Sequence, residues 1–154
     1  MSKLIYEIRV SRINETPCNT AKLDAPEMAV DYWKNTISQM PWYDSEREQL
    51  ITICLNTRYK PIGHSLVSIG SLSESIAHPR EIFRSAIAVN SYAVILMHNH
   101  PSGDPSPSEA DHRLTRRISE GSTLLQISLL DHIIVGTTAQ PDRPYFSFKE
   151  AGVL

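Results

Sequence analysis

Cysteine is scarce in this chain of 154 residues. The two it has, Cys18 and Cys54, show no CxxC or other paired spacing, which excludes a disulfide framework and a thiolate zinc site. A basic run is missing too. With 15 Lys+Arg against 17 Asp+Glu, a net charge of -2 and a pI near 6.3, autonomous nucleic-acid binding through phosphates is disfavoured. The longest apolar run, around Ala93 to Met97, falls far short of the roughly 20 residues a bilayer span needs, and the N-terminus lacks a signal-peptide h-region. These absences predict a soluble, cytoplasmic protein without a membrane partner. No repeat, low-complexity tract or linker divides the chain, and 41% hydrophobic with 21% charged residues is ordinary globular usage. A chain of this size buries roughly 70% of its unfolded surface on folding, so it can build a core without staples.

What is present orders itself into alternating elements. Residues 1–24 read as an N-terminal arm or edge strand, with Leu4, Tyr6, Ile8 and Val10 alternating, ahead of a single domain at 25–154. Apolar residues at helical spacing predict a first helix over Ala25 to Met40, with Asp24 as N-cap, Pro26 in the first turn, Glu27 at N3 and Pro41 as the stop. The runs Gln49 to Leu55 and Ile62 to Ile69, split by the turn-like Asn56 to Lys60, predict an antiparallel hairpin. A second helix runs from His78-Pro79 to Val89, with Asn90 as C-cap.

Tyr92 to Met97 is a continuous apolar run, the mark of a central strand covered on both faces. The irregular loop Pro101 to Pro107 holds three prolines and a glycine. Ser108 caps a third helix to Gln126 with Leu114, Ile118, Leu124 and Leu125 facing inward, and strands at Ile127 to Val135 and Tyr145 to Phe148 close the chain. The order predicts an α/β (α+β mixed) domain, one mixed sheet with helices on its faces.

Chemistry concentrates in His98-Asn99-His100 and the loop behind it. Residues i and i+2 of a strand share a face, so both imidazoles can aim at one point, and the next helix's first turn can add Asp111. Two His and one carboxylate leave a fourth tetrahedral position for water, as catalytic zinc sites do. Ser108 can cap its helix or point its hydroxyl at a developing oxyanion. The blander reading is that a single His at a strand end is a surface residue and that Ser108-x-x-Asp111 is a capping box. The combination, at the mouth of a Pro/Gly loop, favours metal binding.

His-x-His, seven residues, Ser, two residues and Asp resembles the JAMM signature of the JAB/MPN metalloprotease fold. The wording His98-Asn99-His100-Pro101-Ser102-Gly103, with His78-Pro79-Arg80-Glu81, Leu114-Thr115-Arg116-Arg117 and Leu130-Asp131-His132-Ile133-Ile134-Val135-Gly136, is similar to the RadC family, from about Ala25 to Gly152. The resemblance implies a curved mixed sheet flanked by helices, a Zn2+ cofactor on His98, His100 and Asp111, and a zinc-dependent hydrolase cleaving a peptide or isopeptide bond of a protein or peptide substrate.

It further implies an upstream glutamate as general acid/base. Glu48, just ahead of the first strand, is the first choice; Glu81 at a helix start is the second; Glu109 reads as a first-turn acid. Ser108 would lie beside the oxyanion. The alternative function is an MPN-fold binding module or partner scaffold in DNA repair or recombination without hydrolysis. Many RadC-like proteins carry a helix-hairpin-helix segment that the arm is too short to hold, so a domain-only form is expected. His64 reads as a sheet-surface residue, His112 as solvent-facing, His78 as a helix-start residue, and His132 as a structural partner of Asp131 or nearby backbone. Trp33 and Trp42 read as packing residues.

Overall fold

The computed structural model describes residues 22–70, 77–136 and 144–154; the expected arm strand at Leu4 to Val10 and Cys18 lie outside these. The described residues form helix α1 (Pro26–Asn35), a 3-10 turn (Ile37–Gln39), strands β1 (Gln49–Leu55) and β2 (Pro61–Ile69), helix α2 (Pro79–Ala88), strand β3 (Ala93–Asn99), helix α3 (Glu109–Leu125), and strands β4 (Ser128–Val135) and β5 (Tyr145–Ser147). The five strands make one mixed sheet in the order β2-β1-β3-β4-β5. β1 is antiparallel to both β2 and β3, β3 is parallel to β4, and β5 returns antiparallel to β4. A parallel pair cannot be joined by a tight turn, and α3 is the crossover that the β3–β4 pair requires.

Strand parity divides the interior in two. Ile51, Ile53, Ile95, Met97 and Ile133 pack with Ala29, Val30, Trp33 and Ile37 against α1. Leu50, Cys54, Val94 and Leu96 pack on the opposite face with Ile82, Phe83 and Ala86 of α2 and Leu114 and Ile118 of α3. Every residue of β1 and β3 is buried, which is why β3 reads as a continuous apolar run up to Met97 and β1 as a mostly apolar one, interrupted by Thr52. The buried Cys54 thiol is pushed above its ordinary range, first by desolvation, as befits a small packing residue.

Three helix boundaries differ from expectation. Ala25, not Asp24, is the N-cap of α1, without a side-chain cap bond, because the Pro26 ring holds the residue before it in an extended conformation (φ -129, ψ 150). α1 ends at Asn35, and the expected last turn is a separate 3-10 piece that still buries Ile37. Val89 is the C-cap of α2; Asn90 follows with φ 51, the left-handed position that ends many helices. Leu124 and Leu125 do not face inward: the buried stripe of α3 runs Asp111, Leu114, Thr115, Ile118 and Ser122, and Leu124 is 84% exposed. Gln126, at φ 55, instead turns Ile127 into the core.

Leu96 sits at the centre of β3 with no exposed surface. Leu96→Ala should lower unfolding stability by about 2–5 kcal/mol, read from the urea midpoint at unchanged slope.

Candidate metal centre

The site grows out of strand register. β1 and β3 pair Leu50 with His98, so one pleat further along the same face Glu48 stands beside His100. Parity puts His98 on the α2/α3 side of the sheet with Val94 and Leu96. The His100 backbone N–H bonds to the Val135 carbonyl at 3.1 Å, carrying the β3–β4 pairing one residue past the strand end. The two Nε2 atoms thereby approach to 3.1 Å. Glu48 Oε1 lies 3.7 Å from His98 Nε2 and 3.9 Å from His100 Nε2.

Asp111 enters from the first turn of α3, and its two oxygens divide the work. Oδ2 accepts from the Ser108 backbone N–H at 2.7 Å and from the Ser108 hydroxyl at 2.6 Å. In return the Asp111 N–H donates to Ser108 Oγ at 3.2 Å, completing a capping box. Oδ1 is left facing His98 Nε2 at 3.2 Å. One oxygen or nitrogen from each of Glu48, His98, His100 and Asp111 falls within 4.8 Å of all the others. The cap and the cluster are two uses of one carboxylate.

Three supports fix these side chains. His100 Nδ1 donates to the Asp104 carbonyl at 2.8 Å, which leaves Nε2 to face the cluster. The loop that supplies this carbonyl is pinned by Gly103 (φ 85) and by Gly136, where an added Cβ would meet the Gly103 carbonyl oxygen at 2.7 Å. Asn99, on the other face, spans Glu48: its Oδ1 accepts from the Gln49 N–H at 2.9 Å and its Nδ2 donates to the Arg47 carbonyl at 3.0 Å. The peptide groups on both sides of Glu48 are thus tied to the end of β3. Behind His98, Nδ1 meets His132 Nε2 at 2.9 Å.

Burial by itself would raise the Asp111 carboxyl, but bonds from His100 and His98, the nearby positive charge and the Ser108 hydroxyl outweigh it and hold the group well below the carboxylate range. His100 is raised, first by its bond to Asp111, against desolvation, with help from the Asp104 carbonyl and Glu48. The cluster therefore favours positive charge between its carboxylates. Two imidazole nitrogens and a carboxylate oxygen are a donor set suited to a divalent transition metal, and the residues fit one.

The remaining candidates stand elsewhere. Glu81 sits on α2 near Arg80 (3.7 Å) and Arg84 (3.6 Å), and Glu109 is exposed in the first turn of α3, outside the cluster. His64 bonds to the Tyr32 hydroxyl at 2.9 Å, and the His78 ring accepts from the Arg80 N–H as helix cap. His112 is only half exposed, its ring edge-on to Phe148 at 5.1 Å, which corrects the expectation that it faces solvent. The backbone N–H of His132 does bond to Asp131, as expected, but the contact of its ring with His98 is not foreseen by the sequence reading. The one signal for it is a polar side chain inside an apolar strand, and its partner depends on a parallel register that no local pattern encodes.

A mixed sheet flanked by helices, with His-x-His leaving a central strand and Asp opening the next helix, defines a JAB/MPN-type domain. The chain belongs to the RadC-like JAB domain family, whose model matches residues 23–153. It is 49% identical over 152 residues to a UPF0758 protein of Desulfitobacterium hafniense, covering 99% of this chain and 63% of that one. To a UPF0758 protein of Pelodictyon phaeoclathratiforme it is 44% identical over 128 residues, 83% of this chain and 54% of the relative. A UPF0758 protein of Methanosarcina mazei is 48% identical over 111 residues, 72% of this chain and 46% of its own. The chain spans about half to three-fifths of these relatives.

Asn99→Ala should cost about 2 kcal/mol or more, because it leaves two peptide groups beside Glu48 without their partner; urea unfolding measures it. Gly136→Ala should cost about 1–3 kcal/mol by the same measurement, through backbone displacement against Gly103.

Proposed function

We propose that the chain is a zinc-dependent hydrolase that cleaves an amide bond, peptide or isopeptide, in a protein or peptide substrate. The observation that carries this reading is the convergence of His98, His100 and Asp111 on one point with the Glu48 carboxylate beside it. Membership of the JAB superfamily, which includes metallohydrolases, supports it. His98 and His100 would give Nε2 and Asp111 an oxygen to the ion. Zinc held there supplies Lewis acidity and lowers the pKa of a water to around 7.

Glu48, with 22% of its side chain exposed, stands where it can face both the cluster and an incoming substrate. Its carboxylate takes a proton from the attacking water as the water oxygen bonds to the carbonyl carbon. It then gives that proton to the leaving nitrogen as the C–N bond breaks, and a carboxylate and an amine result. Ser108 would serve the oxyanion by turning its hydroxyl from Asp111, while its backbone N–H keeps the Asp111 bond. No described helix is long and apolar enough to cross a membrane. The acidic charge balance argues for a protein substrate over autonomous nucleic-acid binding.

Metal analysis of the purified protein should find about one zinc per chain, with His100→Ala losing it. Glu48→Gln should keep zinc and lose about 10²- to 10⁴-fold in hydrolysis of an amide substrate. Wild-type protein without stoichiometric metal, or His100→Ala with full zinc content, overturns the reading. If zinc is present but no hydrolysis accompanies steeply salt-dependent DNA affinity, the binding-module alternative holds instead.

A further inference from the structure

Four of the eight large apolar side chains exposed among the described residues belong to one end of the molecule, the end away from the metal cluster. They are Ile87 (54% exposed), Tyr92 (46%), Leu124 (84%) and Leu125 (40%). The core does not use them, and neither does the proposed chemistry.

Helix direction brings the four together. α2 follows β2 from the level of Glu48, where the Gly70 N–H bonds to the Glu48 carbonyl, and ends just before Ser91, whose Oγ accepts from the Leu55 N–H. α3 starts at the cluster with Asp111 and ends just before Ser128, which pairs with Ala93 at the start of β3. Both helices therefore run from the cluster to the far end of the sheet. They meet where a Cβ added to Gly121 would stand 3.0 Å from the Phe83 ring. One turn further along, Ile87 and Leu125 lie four residues beyond Phe83 and Gly121, and Leu124, three beyond Gly121, shares that side of α3. The Ser128 N–H bonds to the Tyr92 carbonyl, which ties Tyr92 to the chain leaving α3. The four side chains form one patch.

What this patch lacks is charge. Residues 85–97 and 121–130, which build it, contain no Asp, Glu, Lys, Arg or His, in a chain where 21% of residues are charged. Its exposed polar residues, Asn90 and Gln126 among them, are neutral. A charged partner surface would have its charges buried here without a counterpart, which is costly. The patch therefore fits a surface that is itself apolar and neutral, and a second copy of the chain presents one. A two-fold axis sets the patch against itself, and the repulsion that opposes pairing of like-charged surfaces is absent.

We propose that the chain forms a two-fold dimer through this end of α2 and α3, with Leu124 of each copy packed on the other's patch. An apolar, charge-poor centre that includes a tyrosine, edged by neutral polar groups, is the usual anatomy of such an interface. The two metal clusters then face away from the contact and stay open to substrate. The inference stands whatever the clusters do.

Sedimentation equilibrium tests it. The wild-type chain at high micromolar concentration should sediment at twice its 17.3 kDa mass. Leu124→Glu sets a charge in the patch of each copy; it should weaken dimerisation about 10-fold or more with an unchanged circular dichroism spectrum. Leu124→Ser, which removes the apolar contact without adding charge, should weaken it by a smaller factor, so the outcome does not rest on one variant. Ile69→Glu, at an exposed apolar residue near the cluster end of β2, should leave the dimer intact. A wild-type chain that stays monomeric at that concentration overturns the proposal, as does a dimer that both Leu124 variants leave unweakened or that Ile69→Glu dissociates. Species larger than a dimer sink the two-fold arrangement, because a self-paired patch closes at two copies.

Discussion

The position of β3 between an antiparallel neighbour and a parallel one constrains everything else in this molecule. Pairing with β1 brings Glu48 beside His100, and pairing with β4 sets His132 against Leu96, one pleat below His98 on the same face. A slip of one residue in either ladder would turn the affected strand's side chains to the opposite face and break the cluster. Burial of both faces prevents the slip, because it would also exchange the α1-facing set for the α2/α3-facing set along the whole strand. The site inherits its precision from the core.

Asp111 shows how a local and a tertiary demand share one group. A capping box is a device of the helix alone, worth about 1 kcal/mol, and it needs only one carboxylate oxygen. The second oxygen is free to face His98, and the cap holds it there. Ser108 acts in the same double way: its backbone and hydroxyl hold the carboxylate that faces the histidines. Asn99 plays the matching part on β1, where it replaces ladder bonds around Glu48 that the strand end would otherwise lack.

Much of this is legible in the chain. The hairpin, the central strand, the Pro-rich loop and the third helix are visible as apolar period and turn chemistry, because those signals are local. The start of α1 differs from expectation by one residue because Pro26 restricts Ala25, a constraint that outweighs the capping preference of Asp24. The end of α3 differs because periodicity continues in the sequence after the core it faces has ended. Type and spacing name His98, His100 and Asp111 as candidates, and the family resemblance adds Glu48; neither reaches the bond between His98 and His132, 34 positions apart.

The sequence by itself determined which residues lie on one strand face and which helix opens with a capping box, since both follow from the two-residue pleat and from the first turn's unpaired N–H groups. Only the tertiary structure decided that Glu48 rather than Glu81 or Glu109 stands among the histidines, and that Thr115 and His132 stand behind them. Those relations are set by strand order and register, and register is chosen by the packing of two whole faces, a property no single segment carries.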